Sequence, residues 1–237
     1  MRKLAVISGG SRGIGRAIAE KMAENGLDIA ISGRSLDTLL EAKKEIESKG
    51  VMCHIEVADN GNKEEIVAWA QKLKALNQEI GALVLNAGQF QMGSLEEEPD
   101  GSFERMMEIN VYGAYHLSKA LLPQMIAAGQ GHIFVMCSVA SFIAHPLSSA
   151  YTISKFALLG LSKVLREELK KQQIRVTALM PGATETDSWK DVPVESSRLM
   201  RKEDIADLVW AAYAISPLSV VEELIVRPQL GDLMDIG

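Results

Sequence analysis

Tyr151 and Lys155 stand one helical turn apart in the segment Tyr151-Thr152-Ile153-Ser154-Lys155. On a helix that spacing stacks them on one face and brings an ammonium beside a phenol. A nearby cation favours the phenolate and draws a reference pKa of about 10 toward neutrality, as suits a group that gives and takes a proton at physiological pH. Ser138 closes an apolar run thirteen residues earlier, Asn86-Ala87-Gly88 closes another, and Asn110 interrupts the helical pattern that follows it. A phenol, a hydroxyl, an ammonium and an amide gathered at neighbouring strand ends could protonate an oxygen and stabilise the charge developing on it.

A second cluster lies near the amino terminus, in Ser8-Gly9-Gly10-Ser11-Arg12-Gly13-Ile14-Gly15. Glycine there allows a sharp turn and close approach to a pyrophosphate, while a helix opening behind it offers free N–H donors and a partial positive charge. About 20 residues on, where an NAD-binding unit usually carries a carboxylate for the ribose 2′-hydroxyl, Ser32-Gly33-Arg34-Ser35 stands instead. No carboxylate repels a 2′-phosphate at that point, and Arg34, with Arg12 in the turn, offers guanidinium donors for one. This favours NADP(H).

Short aliphatic runs alternate with longer stretches of helical period, the pattern of βαβ units feeding a parallel sheet. Strands are expected at Leu4–Ser8, Asp28–Ser32, Met52–Val57, Ala82–Leu85, His132–Cys137, Arg175–Leu179 and Val221–Val226. Helices are expected near Gly13–Asn25, Leu36–Lys49, Lys63–Gln78, Phe103–Ala128, Ala150–Gln172 and Lys202–Ile215. The expected fold is α/β: residues 1–237 as one doubly wound, Rossmann-type domain, a seven-stranded parallel sheet with helices on both faces. Ligands of such sheets sit at the carboxyl ends of the strands, where both clusters fall.

Composition narrows the field. The chain has 237 residues, 47% hydrophobic and 24% charged, which excludes disordered and fibrous classes. A net charge of −6 lacks the basic surface of a nucleic-acid binder. The apolar run behind Met1-Arg2-Lys3 is too short for a secretion signal, and Leu208–Ile215 is far below the ~18 residues of a membrane span, so a cytoplasmic location is expected. Cys53 and Cys137 lack ligand spacing, so both are read as reduced core residues and no metal is expected.

Taken with their order, these motifs resemble the short-chain dehydrogenase/reductase family over almost the whole chain. The resemblance rests on the Ser8–Gly15 turn, Asp59, Asn86-Ala87-Gly88, Asn110, Ser138, the Tyr151/Lys155 pair, and Pro181-Gly182 followed by Thr186. It implies that Tyr151 is the general acid protonating a carbonyl oxygen as nicotinamide hydride reaches the carbon, with Ser138 hydrogen-bonded to that oxygen. Lys155 would hold the nicotinamide ribose and depress the Tyr151 pKa, and Asn110 would anchor a water leading from Lys155 to solvent. The cofactor would contact Gly9, Ser11, Arg12, Gly13, Ile14 and Gly15 in the turn, Arg34, and Asp59 at the adenine. Further contacts implied are Asn86, Ala87 and Gly88 near the adenosine ribose, Tyr151 and Lys155, and Pro181, Gly182, Thr184 and Thr186, the last at the carboxamide.

Leu85 replaces the first asparagine of the family's usual Asn-Asn-Ala-Gly, and Val221–Pro228 lacks the frequent glycine-rich ending, resembling instead the sepiapterin-reductase-like branch. The implied activity is NADPH-dependent, reversible reduction of a small or medium carbonyl compound. Gln89–Gly93, Ser141–Pro146 and Asp187–Val194 would line the substrate pocket, with Phe90, Phe142, His145 and Trp189 as walls. Reduction of a 3-oxoacyl group on an acidic carrier protein ranks second, because Met125–Ile133 (MIAAGQGHI) offers no lysine or arginine for docking. A noncatalytic NADP-sensing module is the alternative of another class, but it has no chemical need for Ser138, Tyr151, Lys155 and Asn110 together. Family resemblance implies a homodimer or homotetramer built on the two long helices before and after the fifth strand, with no nucleic-acid or membrane partner.

Overall fold

Strands that are apolar along most of their length are stable only when both faces are covered. Seven of them form one sheet in the protein, whose computed structural model describes residues 2–189 and 194–233. They are β1 (Leu4–Ile7), β2 (Asp28–Gly33), β3 (Cys53–Val57), β4 (Ile80–Leu85), β5 (Gly131–Met136), β6 (Ile174–Pro181) and β7 (Glu223–Val226). All neighbours pair in parallel, in the order β3-β2-β1-β4-β5-β6-β7. The expected fold class holds, with strand ends displaced by one or two residues.

Helices α1 (Gly13–Glu24), α2 (Leu36–Glu47) and α7 (Lys202–Ala214) cover one face, and α3 (Lys63–Ala75), α5 (Gly113–Ala128) and α6 (Ser149–Leu169) cover the other. Ile18, Met22, Leu39, Ile46, Ile205 and Val209 pack on Ile7, Ile31, Val84 and Phe134 of the first face. Ile66, Trp69, Leu117, Leu121, Leu158 and Leu165 pack on Leu83, Val135 and Val176 of the second. Each such side chain, fully buried, contributes roughly 1.5–3 kcal/mol, and the two layers lock the sheet whose carboxyl edge carries the site. No helix among the described residues is long and apolar enough to cross a membrane.

The single helix expected over Phe103–Ala128 is three pieces: α4 (Ser102–Met107), a π-helical turn Glu108–Tyr112, and α5. Helical period alone cannot show this, because a π turn inserts one residue without breaking the run of helical residues. At the opposite, amino edge of the sheet, His132 on β5 is fully buried. Its Nε2 lies 2.7 Å from Thr177 Oγ1 and its ring stacks on Phe134 at 3.9 Å. Burial, then the Arg175 charge, push its pKa down to about 3, so the ring is neutral. Cys53 and Cys137 are buried free thiols, with burial first pushing them up to about 12 and about 11.

Candidate active site

Strand order reverses between β1 and β4, and the crevice at their carboxyl ends is where such sheets bind ligands. The turn after β1 is fastened to the end of β4. Ser8 Oγ accepts the backbone N–H groups of Asn86 and Ala87 at 3.0 and 3.1 Å, and Asn86 Nδ2 donates to the carbonyls of Ser8 and Gly9, each at 3.0 Å. Gly13 holds φ +57°, a left-handed conformation natural to glycine, as it opens α1. Arg12, in the N-cap position of α1, gives no side-chain cap, so the first-turn N–H donors are left for whatever enters the crevice.

The crevice is one cavity of ≈ 820 Å³ that runs from the glycine turn, past Arg34, Ser35, Thr38 and Asp59, to Ser138, Tyr151 and Thr186. Arg34 is exposed and has no hydrogen bond or ion pair among the described residues, whereas Arg12 Nη1 reaches across to Asp187 Oδ2 at 2.8 Å. Asp59 accepts from Arg105 Nη2 at 2.8 Å and from the Gly61 N–H at 2.9 Å. Burial pushes its carboxyl up, but Arg105, that N–H and the nearby Arg34 outweigh it, and the carboxyl lies below its usual range. Asn86, expected near the adenosine ribose, lines the cavity, but its side-chain amide is engaged with the glycine turn. Ala87, Gly88, Pro181, Gly182 and Thr184 also line it, as do Gly9, Ser11, Ile14 and Gly15.

The four residues expected to do the chemistry come together. Ser138 follows β5, and its Oγ accepts the Ala140 N–H at 3.2 Å, which leaves the hydroxyl proton to donate. Tyr151, in the first turn of α6, lines the same end of the cavity as Ser138, and its ring packs edge-on with that of Phe90 at 4.9 Å. Lys155 Nζ donates to the Met136 carbonyl at 2.8 Å and lies 5.7 Å from the centre of the Tyr151 ring. A side chain at Gly88 would stand 3.2 Å from Asn110 Oδ1 and 3.6 Å from Lys155 Nζ, so these groups share one small space.

One electrostatic expectation is corrected. The phenol of Tyr151 is pushed up to about 12, by burial first, with the neighbouring Ser138 hydroxyl pulling it back only partly. Spacing placed a cation beside the ring but could not show the desolvation, nor that Lys155 points at a carbonyl; burial lowers that ammonium to about 8. Asn110, completely buried in the π-helical turn, donates through Nδ2 to Gln89 O at 3.1 Å and Ser154 Oγ at 2.9 Å and accepts the Gln89 N–H at 2.8 Å. Its side chain braces the loop after β4 against α6.

Phe90, His145 and Trp189 form walls, with Phe90 and Trp189 stacked 6.4 Å apart. Phe142 does not line the cavity: it lies 39% exposed under the Arg227 guanidinium, 5.8 Å away. Met92, Leu147 and Leu233 take wall positions the sequence did not single out. Residues 190–193 of the expected third wall lie outside the described residues. The Arg105–Asp59 and Arg12–Asp187 pairs and the Ser8 and Ser154 contacts were likewise unforeseen, since partners 44 to 175 residues apart leave no local spacing signal. Met125–Ile133 spans the end of α5 and the amino end of β5, on the opposite edge of the sheet from Ser138. Lys3 reaches it, donating to Gln130 at 2.8 Å, so this segment does not speak to what docks at the cavity.

Residues 3–196 match the family described as short chain dehydrogenase. Sepiapterin reductase of Chlorobaculum tepidum is 33% identical over 243 positions, covering 99% of this chain and 100% of that protein. An alcohol dehydrogenase of the archaeon Thermococcus sibiricus, solved with 5-hydroxy-NADP, superposes with a TM-score of 0.90 at 29% identity over 97% of each chain. L-Sorbose reductase of Gluconobacter frateurii, solved with NADPH and L-sorbose, does so with 0.88 at 28% over 95% of each.

Proposed function

Because the chain belongs to the short-chain dehydrogenase family, we propose that it is an NADPH-dependent reductase of a small or medium carbonyl compound, reversible as an alcohol dehydrogenase. Residues 1–237 would form one NADP-binding oxidoreductase domain. The observation that carries the reading is the meeting of Ser138, Tyr151 and Lys155 at the end of the same cavity that the uncapped α1 terminus opens, with Asn110 buried behind them and bonded to Gln89 and Ser154. The cradle fits NADP(H): free helix N–H donors for the pyrophosphate, Arg34, unpaired among the described residues, for a 2′-phosphate, and Asp59 held in place at the adenine end.

Bound NADPH supplies the hydride. In this reading the substrate carbonyl oxygen lies between Ser138 Oγ and Tyr151 Oη. Ser138, fixed by the Ala140 N–H, donates a hydrogen bond to that oxygen, keeping its own proton, and stabilises the charge growing on it. Tyr151 is protonated throughout the physiological range, which suits the acid of the reductive direction, and its Oη gives the proton that completes the alcohol. The tyrosinate left behind is stabilised by the ammonium of Lys155 until a solvent proton replaces the one given. Pro181, Gly182, Thr184 and Thr186 form the opposite wall, where the nicotinamide end would lie.

Apolar walls from Phe90, Met92, Leu147 and Trp189 suit a compact, partly apolar ketone or diketone. Assembly through α5 and α6 into a homodimer or homotetramer belongs to the same reading, supported by the exposure of Tyr112, Tyr115, Ile153, Phe156 and Val164 on those helices and the turn before them. The test is NADPH oxidation by purified protein against diketones, pterins, sugars and 3-oxoacyl carrier conjugates. Turnover of a free carbonyl compound with kcat/KM above that of the carrier conjugate is expected, and preference for the carrier conjugate overturns the substrate assignment.

A further inference from the structure

Asn60, which follows Asp59 in the loop after β3, was not singled out by its sequence neighbours, yet it is buried to 8% exposure. Its Nδ2 donates to the carbonyl of Ile109 at 2.6 Å, the residue immediately before Asn110. That carbonyl is open to an outside donor for a definite reason. In an α-helix the Gly113 N–H would bond four residues back to Ile109; in the π-helical turn it bonds to Glu108, five residues back. Asn60 supplies a donor to the carbonyl so released.

The fit is close on the other side as well. A Cβ on Gly113 would come within 2.2 Å of both Asn60 Nδ2 and Asn60 O, so α5 can start here only with glycine while Asn60 keeps this position. Asn60 Oδ1 is buried without a hydrogen-bond partner among the described residues, a cost that an apolar residue would not incur. What the asparagine provides in exchange is a side-chain donor on Ile109. The same loop is tied to the same stretch of helix a second time, through Asp59 and Arg105 of α4.

We infer that Asn60 is a positioning residue for the reaction: it latches the π-helical turn and thereby sets Asn110, whose buried amide braces Gln89 and Ser154 beside Lys155. The inference rests on the reductase reading given above. It makes the loop at the adenine end of the cavity and the asparagine at its reacting end parts of one hydrogen-bonded unit.

Asn60→Leu keeps the number and branching of the side-chain heavy atoms, with bulkier methyl groups, and removes the donor. Reductive kcat should fall about 10-fold, with the KM for NADPH changed by less than about 2-fold. In an Asn110→Ala background the same substitution should change kcat by less than about 2-fold, because the group through which it acts is gone. A loss that persists at about 10-fold in that background overturns the inference, as does an unchanged kcat in Asn60→Leu alone. Gly113→Ala, which drives a Cβ into the latch from the other side, should reproduce the kcat loss if Asn110→Ala does not fold. Amide hydrogen exchange gives a measurement free of turnover: Asn60→Leu should lower protection of residues 109–114 about 10-fold while β1 and β4 stay as they were. Unchanged protection there overturns the latch even if no carbonyl compound is ever reduced, whereas lost protection without any turnover would sink only the reductase reading.

Discussion

Replacing Arg34 with alanine should weaken NADPH binding by roughly 10-fold and leave NADH binding almost untouched. Arg34 has no hydrogen bond or ion pair among the described residues, and its charge acts only at longer range on Asp59, an influence common to both cofactors, so the comparison between them isolates the 2′-phosphate. A hydrogen bond to a charged group contributes about 1.5–3 kcal/mol, and each 1.36 kcal/mol is a factor of ten, which brackets the effect between roughly 10- and 100-fold. The guanidinium is exposed, and solvent screening places the outcome at the low end. Arg12 should matter less, because its guanidinium is shared with Asp187. Quenching of protein fluorescence gives both dissociation constants for each variant, and raising the salt concentration should narrow the gap between cofactors. Equal losses for NADPH and NADH in Arg34→Ala would mean that the arginine supports the loop rather than reading a phosphate. An unmodified protein that prefers NADH would refute the assignment directly.

Other outcomes follow from the same geometry. Tyr151→Phe should lower kcat by at least ~10²-fold with NADPH still bound, and near-normal turnover would remove the phenol from the mechanism. Reductive turnover should decline as pH rises through about 8, where Lys155 loses its proton, and Lys155→Arg, charged at every accessible pH, should show no decline there. The same decline in both proteins would show that another group titrates. Because His132 is held neutral with its pKa lowered to about 3, the unfolded chain binds the extra proton between pH 6.5 and 3. Stability should therefore be fully present above pH 6.5 and fall on acidification through that window, by at most about 1.4 kcal/mol per pH unit from this group. Urea midpoints of His132→Phe should lack that portion of the slope, and a difference between the proteins that is constant from pH 7 to pH 4 would exclude it.

Local pattern carried the fold because each element is encoded within its own ten or twenty residues. Aliphatic runs placed seven strands, and the glycine turn fell at the first strand-to-helix junction, where β1 meets α1. Tyr151 and Lys155 were legible for the same reason, being four residues apart on one helix. What escaped depends on three dimensions. The insertion of a π turn around Asn110 leaves helical composition unchanged, so Phe103–Ala128 read as continuous. The direction of the Tyr151 shift is set by burial of the phenol, which spacing does not report. Phe142 was assigned to the cavity by its place in a loop, but the side chain turned toward Arg227. Met125–Ile133 was judged by its lack of charge, when its place at the far edge of the sheet decides its relevance.

The fastening of the glycine turn to β4 by Ser8 and Asn86 bears on entropy. A loop of glycines is the most conformationally free kind of chain, and ordering its backbone costs roughly 1–2 kcal/mol per residue. Four hydrogen bonds to the end of a central strand impose that order when the sheet forms, before any phosphate arrives. Association then meets a surface already in its final shape, and little of the contact free energy is consumed in arranging it. It also follows that Asn86, whose side chain is spent inside the protein, governs the shape of an anion cradle through the carbonyls of Ser8 and Gly9.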